Sequence, residues 1–350
     1  MRGLAVLLVV LSHAAHKKLY ALPGLDFAGI GKAGVFLFFV LSAFLLTRVF
    51  LRLRVPALGE LRVWANYAVR RILRIFPLFG LVLLLSWLVT ANQERLGWPF
   101  AVPFSLSGRE ALDHLRLDAG KSVLWSIPVE FKYYLFLPFV ALALRLARHP
   151  LAAGILAALL VAAAGLIWPA AESAQNTIVL GPYLPLFFLG AYAALVHEWL
   201  AVRVLPRWAR RLAEIAGWLA LAAILATIPA LYAFIDPDAG RWQPRAFLFH
   251  AVIWCILVLA VLHGTGALRA WLGTWPMRAL GWISFSVYLW HMAVLALVGR
   301  HFGLQGVAGF WVALTLVLAV SAVSYLLVER PCMKVRLPRA AKASPVPQVP

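Results

Sequence analysis

The sequence predicts an all-α polytopic membrane protein of about ten transmembrane helices, and three observations carry that expectation. Of 350 residues, 64% are hydrophobic and only 13% are charged, more apolar side chain than a soluble domain of this size needs for its core. The apolar residues gather in runs of roughly 20, the length that crosses about 30 Å of hydrocarbon. The cations cluster on alternate connections between those runs, the pattern that orients membrane helices.

The first run, near residues 2 to 20, opens on Arg2 and carries His13. A secretory signal peptide is the plainer reading of it, but cleavage would leave an odd number of spans and weaken the charge bias. The next runs lie near 34 to 52, near 66 to 90 behind an arginine cluster, near 126 to 146, and near 151 to 168. The remainder lie near 178 to 198, 212 to 232, 246 to 263, 279 to 299 and 306 to 328. With the N-terminus inside, 21 of the 32 Lys and Arg fall on the cytoplasmic side, against 4 of the 13 acids, namely Glu60, Glu198, Glu214 and Glu329. Both termini are therefore expected in the cytoplasm. The same placement accounts for the net charge of +19 without a nucleic-acid partner. Cys255 and Cys332 fit neither a disulfide nor a zinc spacing. Residues 1–336 form the expected transmembrane domain, and the Pro- and Ala-rich stretch 337–350 reads as a disordered cytoplasmic tail.

Ionisable groups deep in a bilayer are costly and mark function by default. Arg2 and His13 are eleven residues apart, close to three full turns, so they share one helical face with about 16 Å of rise between them. Taken alone, they are as readily a snorkelling anchor plus a histidine satisfied across helices as a functional pair. Ser42 lies midway along "GVFLFFVLSAFLLTRVF" and Arg48 near its end; a lone serine there commonly bonds back to its own backbone. In "YAVRRILRIFPLF" Arg71 and Arg74 share a face, with Arg70 beside them. Clustered guanidinium forks suit phosphate oxygens, whereas anchoring to anionic lipid needs no ligand. Glu130 in "VLWSIPVEFKYYLFLP" needs a partner such as Lys132 or a histidine if buried. Near His13 it would orient the imidazole, and at the rim it would face water. "LGWISFSVYLWHMAVL" sets Ser284, Ser286, Tyr288 and His291 on the ninth run. "SYLLVERPCMKVRLP" ends the tenth run at a Glu329 and Arg330 pair, where Pro331 stops the helix.

In this order, these stretches resemble the acyltransferase-3 family of bacterial integral-membrane acyltransferases. The resemblance runs from Arg2 to about Arg336. It rests on the arginine, ten residues, histidine pattern, on "FFVLSAFL", "RILRIFP", "WSIPVE" and "ISFSVYLWH", and on the closing "VERP". It implies transfer of an acyl group, commonly acetyl, from cytosolic acyl-CoA to a hydroxyl of an extracytoplasmic carbohydrate, across the bacterial cytoplasmic (inner) membrane. By the same resemblance His13 is the catalytic residue, with Glu130 assigned beside it. Arg2, Arg71 and Arg74 hold the CoA donor, with Arg48 added to them, and Ser42, Ser286, Tyr288 and His291 are further candidates. No metal is implied. The pantetheine arm matches the rise from Arg2 to His13, so the charged head would stop at the arginines and the thioester would reach the imidazole. Both a general-base and an acyl-carrier role for His13 stay open.

Three departures stand out. Alanine follows Ser42 where the family more often has glycine, and "FKYY" after Glu130 replaces a more usual acidic and aromatic continuation. Met1 directly precedes Arg2, where a short polar lead ending in aspartate is usual, so the expected start codon lies upstream. The chain ends about 20 residues past Glu329, so handover to a periplasmic acyltransferase or to polysaccharide-synthesis proteins is expected to involve separate chains. The loop from Ala91 to Ser122, with Trp98, suits a saccharide but names none. A flippase for a lipid-linked saccharide shares this topology, as would a scaffold of a polysaccharide-synthesis complex, and a thioester requirement separates both from the enzyme.

Overall fold

The computed structural model describes residues 1–53, 59–96, 104–147, 149–232 and 245–335, and every regular element within them is helical. In chain order the principal helices are α1 (Arg2–Ala15), α2 (Gly31–Arg52), α3 (Leu61–Ala91), α4 (Gly108–Leu115), α5 (Ser126–Leu146) and α6 (Pro150–Ile167). They continue as α7 (Leu184–Ala201), α8 (Arg207–Ala226), α9 (Phe247–His263), α10 (Trp275–Trp282), α11 (Ser284–Ala296) and α12 (Gly306–Ser324). The expected tail 337–350 lies outside the described residues, as do Trp98, Arg54, Arg148, Arg336, Arg339 and Lys342.

Each expected apolar run contains a helix, but among the described residues fewer than ten are full-length spans. Six, built on α2, α3, α5, α6, α7 and α12, are long and apolar enough to cross a membrane; α10 with α11 makes a seventh, bent by 80°. The shortfall has physical causes. α1 has 14 residues, about 21 Å of helix, and is buried along almost its whole length. A helix that is apolar all round can be short when protein rather than lipid surrounds it. α9 is likewise apolar and short, and α8 carries Arg207, Arg210, Arg211 and Glu214 in its first turns.

α2 is the hub, packing against α1, α5, α7 and α9, while α1 also contacts α10 and α11. Small residues permit these close approaches. A Cβ on Gly34 would lie 2.4 Å from the Ala5 carbonyl oxygen; one on Gly190 would lie 2.7 Å from that of Val40 and 3.1 Å from the Ala43 methyl. Ala43, standing where the resemblance has glycine, is thus accommodated by a glycine on the facing helix. Pro138 within α5 has no N–H for the Tyr134 carbonyl, and Tyr67 Oη donates to that carbonyl instead, at 2.8 Å.

The connection before α5 is braced by α4. Ser107 and Glu110 form a reciprocal capping box, and Lys121 Nζ reaches Glu110 at 3.1 Å and the Ser105 carbonyl at 2.7 Å. The Ser107 backbone N–H, with Lys121, holds the Glu110 carboxyl down at about 2. Ser122 follows in the left-handed region at φ 54°. At the other end of the chain, a π-helical turn over Tyr325–Glu329 continues α12 and delivers Glu329 to the interior.

Candidate active site

Two cavities meet inside the bundle. The first, about 60 Å³, carries Arg2, Arg71 and Arg74 on its wall. Helical spacing explains its shape. Val35, Phe38, Phe39 and Ser42 form one stripe of α2, and Ser126, Glu130 and Tyr134 recur every fourth residue of α5. Glu130 accepts hydrogen bonds from Ser42 Oγ and, at 2.6 Å, from Tyr134 Oη. Arg74 Nη1 donates to Glu329 Oε2 at 2.9 Å, and the buried Glu329 also accepts from Ser286 Oγ. Ser324 donates to Ser286 at 3.0 Å and receives the Trp290 indole N–H at 3.1 Å, completing that network.

The arginines differ in how they are satisfied. Among the described residues, Arg74 alone of the three has a salt bridge to a carboxylate. The Arg71 guanidinium lies over the Tyr134 ring, 5.6 Å from its centroid, and its buried Nε has no hydrogen-bond partner. A buried N–H without an acceptor is rare in a folded protein, so Arg71 keeps the capacity to donate to a further oxygen. Three guanidinium groups against two carboxylates leave the cavity net positive, suited to an anion.

The second cavity, about 480 Å³, is lined by Ser12, His13, His16, Lys17, Lys32, Trp125 and Asn176 among others. His13 Nδ1 lies 3.0 Å from His291 Nε2, and His291 Nδ1 faces the carbonyls of Tyr288 at 2.8 Å and Val287 at 3.1 Å. Lys32 Nζ donates to Asn176 and sits 4.7 Å above the Trp125 ring. Two lining residues, Ser122 and Asn176, hold left-handed backbones, the local strain that clusters at functional sites. Val35 and Tyr288 line both cavities. Tyr288 Oη donates to the Val123 carbonyl at 2.6 Å and lies 2.8 Å from Ser126 Oγ, which fixes it as a partition between them.

The sequence-based candidates divide accordingly. Arg2, Arg71, Arg74, Ser42, Glu130 and Tyr288 surround the first cavity, and His13 lines the second with His291 behind it. Ser286 sits in the network under Arg74. Four residues stand in surroundings other than the expected ones. Arg48 is absent from the arginine cavity's wall and donates to Glu198 at 2.7 Å, beside Arg52. Glu130 belongs with Ser42 and Tyr134, and the partner of His13 is a histidine. Lys132 is no partner of Glu130 either, since it donates to the Ile178 carbonyl at 3.1 Å. Glu329 pairs with Arg74 across the bundle rather than with the adjacent Arg330. Sequence reasoning missed Ser126, Tyr134 and Lys32. The first two were readable from the four-residue spacing about Glu130, whereas Lys32 had no signal beyond its place at the start of an apolar run.

Comparison with known proteins agrees with this architecture. The chain is 28% identical over 349 residues to a Komagataeibacter xylinus protein provisionally named membrane-bound transacylase BcsY, covering 94% of this chain and 81% of that one. It is 25% identical over 319 residues to the peptidoglycan O-acetyltransferase OatA of Listeria monocytogenes, covering 85% of this chain and 49% of that one. A Bacillus subtilis protein provisionally named peptidoglycan O-acetyltransferase YrhL is 26% identical over 322 residues, with 85% and 48% covered. The chain thus spans about half the length of the two peptidoglycan relatives. No solved structure matches it. The family model described as an acyltransferase domain matches residues 1–329, and the chain belongs to the acyltransferase-3 family: it is a multi-pass membrane enzyme that transfers acyl groups other than aminoacyl groups.

Proposed function

We propose that this acyltransferase moves an acyl group, acetyl in the simplest case, from cytosolic acyl-CoA to a hydroxyl of an extracytoplasmic carbohydrate across the bacterial inner membrane. The observation that carries this reading is the pair of cavities, cationic on one side and histidine-lined on the other, separated only at Val35 and Tyr288. The phosphates of CoA fit Arg2 and Arg71, which have no salt bridge to a carboxylate among the described residues. Arg74, already neutralised by Glu329, shapes the wall. The thioester would pass Tyr288 toward His13. There the acceptor oxygen attacks the thioester carbonyl as His13 takes the hydroxyl proton, and the departing CoA thiolate takes that proton back. The hydrogen-bonding groups and the Trp125 face of the second cavity suit a sugar ring, and the names of two relatives make peptidoglycan fragments the first acceptor to try.

Purified protein in liposomes, given acetyl-CoA and peptidoglycan fragments, tests the proposal through thiol release and product mass. His13→Ala should lower transfer by at least about 10²-fold. Arg71→Ala should raise the KM for acetyl-CoA about tenfold or more, the worth of a lost hydrogen bond between charged groups. Full transfer by His13→Ala would overturn this assignment, and saccharide flux without any CoA would identify a flippase instead.

A further inference from the structure

We propose that His291 sets the tautomer of His13, holding the hydrogen on Nδ1 so that Nε2 presents the reactive lone pair. This deepens the acyl-transfer reading above and rests on it for its catalytic meaning, though not for its geometry.

The inference runs along one chain of hydrogen bonds. His291 Nδ1 faces two carbonyl oxygens, of Tyr288 and Val287, and carbonyls only accept, so Nδ1 carries the hydrogen. A neutral imidazole has one N–H, so His291 Nε2 is an acceptor. Its neighbour at 3.0 Å is His13 Nδ1, which must donate. His13 is left with an unprotonated Nε2, the nitrogen free to face the cavity that the ring lines.

The premise of two neutral rings has its own support. His13 shares its cavity with His16, Lys17 and Lys32, and no carboxylate lines that cavity among the described residues. Nothing there would stabilise a cation on either ring. His291 is fully buried and has all its nitrogens engaged. A free neutral imidazole prefers the Nε2–H form, the wrong one for a base at Nε2, so His13 needs a partner that reverses the preference. Serine proteases assign that task to a carboxylate, and loss of their tautomer control is severe. Here a second imidazole does it, anchored by backbone carbonyls of α11. During transfer, His13 Nε2 accepts and returns one proton while His291 gains and loses none, so His291 is a positioning residue.

Nitrogen-15 NMR of the full-length protein in nanodiscs, with labelled histidine, reads the tautomer without turnover; His13→Ala identifies the signals. The expected spectrum has a bare Nε2 and a protonated Nδ1 on His13. In His291→Phe those signals should move to the Nε2–H form, and kcat should fall about 10²-fold while the KM for acetyl-CoA stays within about twofold. His291→Gln, whose amide oxygen can accept from Nδ1, should restore the wild-type tautomer and keep kcat within about tenfold. A protonated Nε2 in the wild type, or an unchanged tautomer in His291→Phe, would overturn the inference. If His291→Phe does not fold, the wild-type spectrum still decides. A correct tautomer in a protein that transfers no acyl group would refute the function and leave this inference standing.

Discussion

Arg71 and Arg74 sit three residues apart on one face of α3, yet one is spoken for and the other is not. Arg74 is clamped to a carboxylate that is 1% exposed, while Arg71 keeps a buried Nε without an acceptor. Removing one member of a buried pair strands the other charge and costs about 3 kcal/mol or more. Glu329→Gln should therefore lower unfolding stability in a fixed detergent by about that amount, whereas Arg71→Ala, which breaks no ion pair, should leave it nearly unchanged while weakening donor binding. Equal effects on stability would contradict this division of labour. The spacing of the two arginines was legible in the sequence because a helix converts spacing into a shared face. Their partners were not. Glu329 lies 255 residues from Arg74, and Glu198 lies 150 from Arg48. Such pairings are created by packing alone. The adjacent Arg330 was an unsound partner for Glu329, since neighbouring helix residues do not face one another.

Helix periodicity made most elements readable, and its misreadings came from what surrounds each helix. The ten apolar runs all fold as helices, but hydropathy does not distinguish a lipid-facing helix from α1, which protein encloses. Nor does composition foretell the 80° bend between α10 and α11; on α11, Tyr288 lines both cavities and His291 stands behind His13. Close helix pairs show a related limit. The alanine after Ser42 looked like a liability at a packing position, yet Gly190 on α7 absorbs its methyl. Gly190→Ala should destabilise the bundle by about 1–3 kcal/mol, because the added Cβ meets the Val40 carbonyl and the backbone must give. Gly165→Ala on α6, where nothing lies within 4 Å, is the matched control and should be neutral or slightly stabilising, since alanine is the better helix former. Thermal unfolding of both variants measures the contrast, and equal midpoints would show that the α2 and α7 contact is not tight.

At the scale of the whole molecule, the proposed chemistry requires that donor and acceptor enter from opposite faces of the membrane, with α1 as the distance between them. Arg2 stands at the first turn of that helix and His13 at its last, and each borders a different cavity. Two positions report on sidedness. Asn176 is exposed and lines the histidine cavity. The native Cys332 neighbours Met333, whose sulfur lies 3.0 Å from Arg74 Nη1 at the arginine cavity. With Cys255 replaced by alanine, a membrane-impermeant maleimide should label Asn176→Cys (carrying Cys332→Ala) in intact cells. It should reach Cys332 only when the membrane is inverted or opened. Since both residues belong to one helical bundle, their opposite accessibility would place the cationic cavity toward the cytosol, where CoA is, and the histidine cavity toward the acceptor. Labelling of both from one side would mean that the cavities share an entrance, and the transfer would then have no membrane to cross.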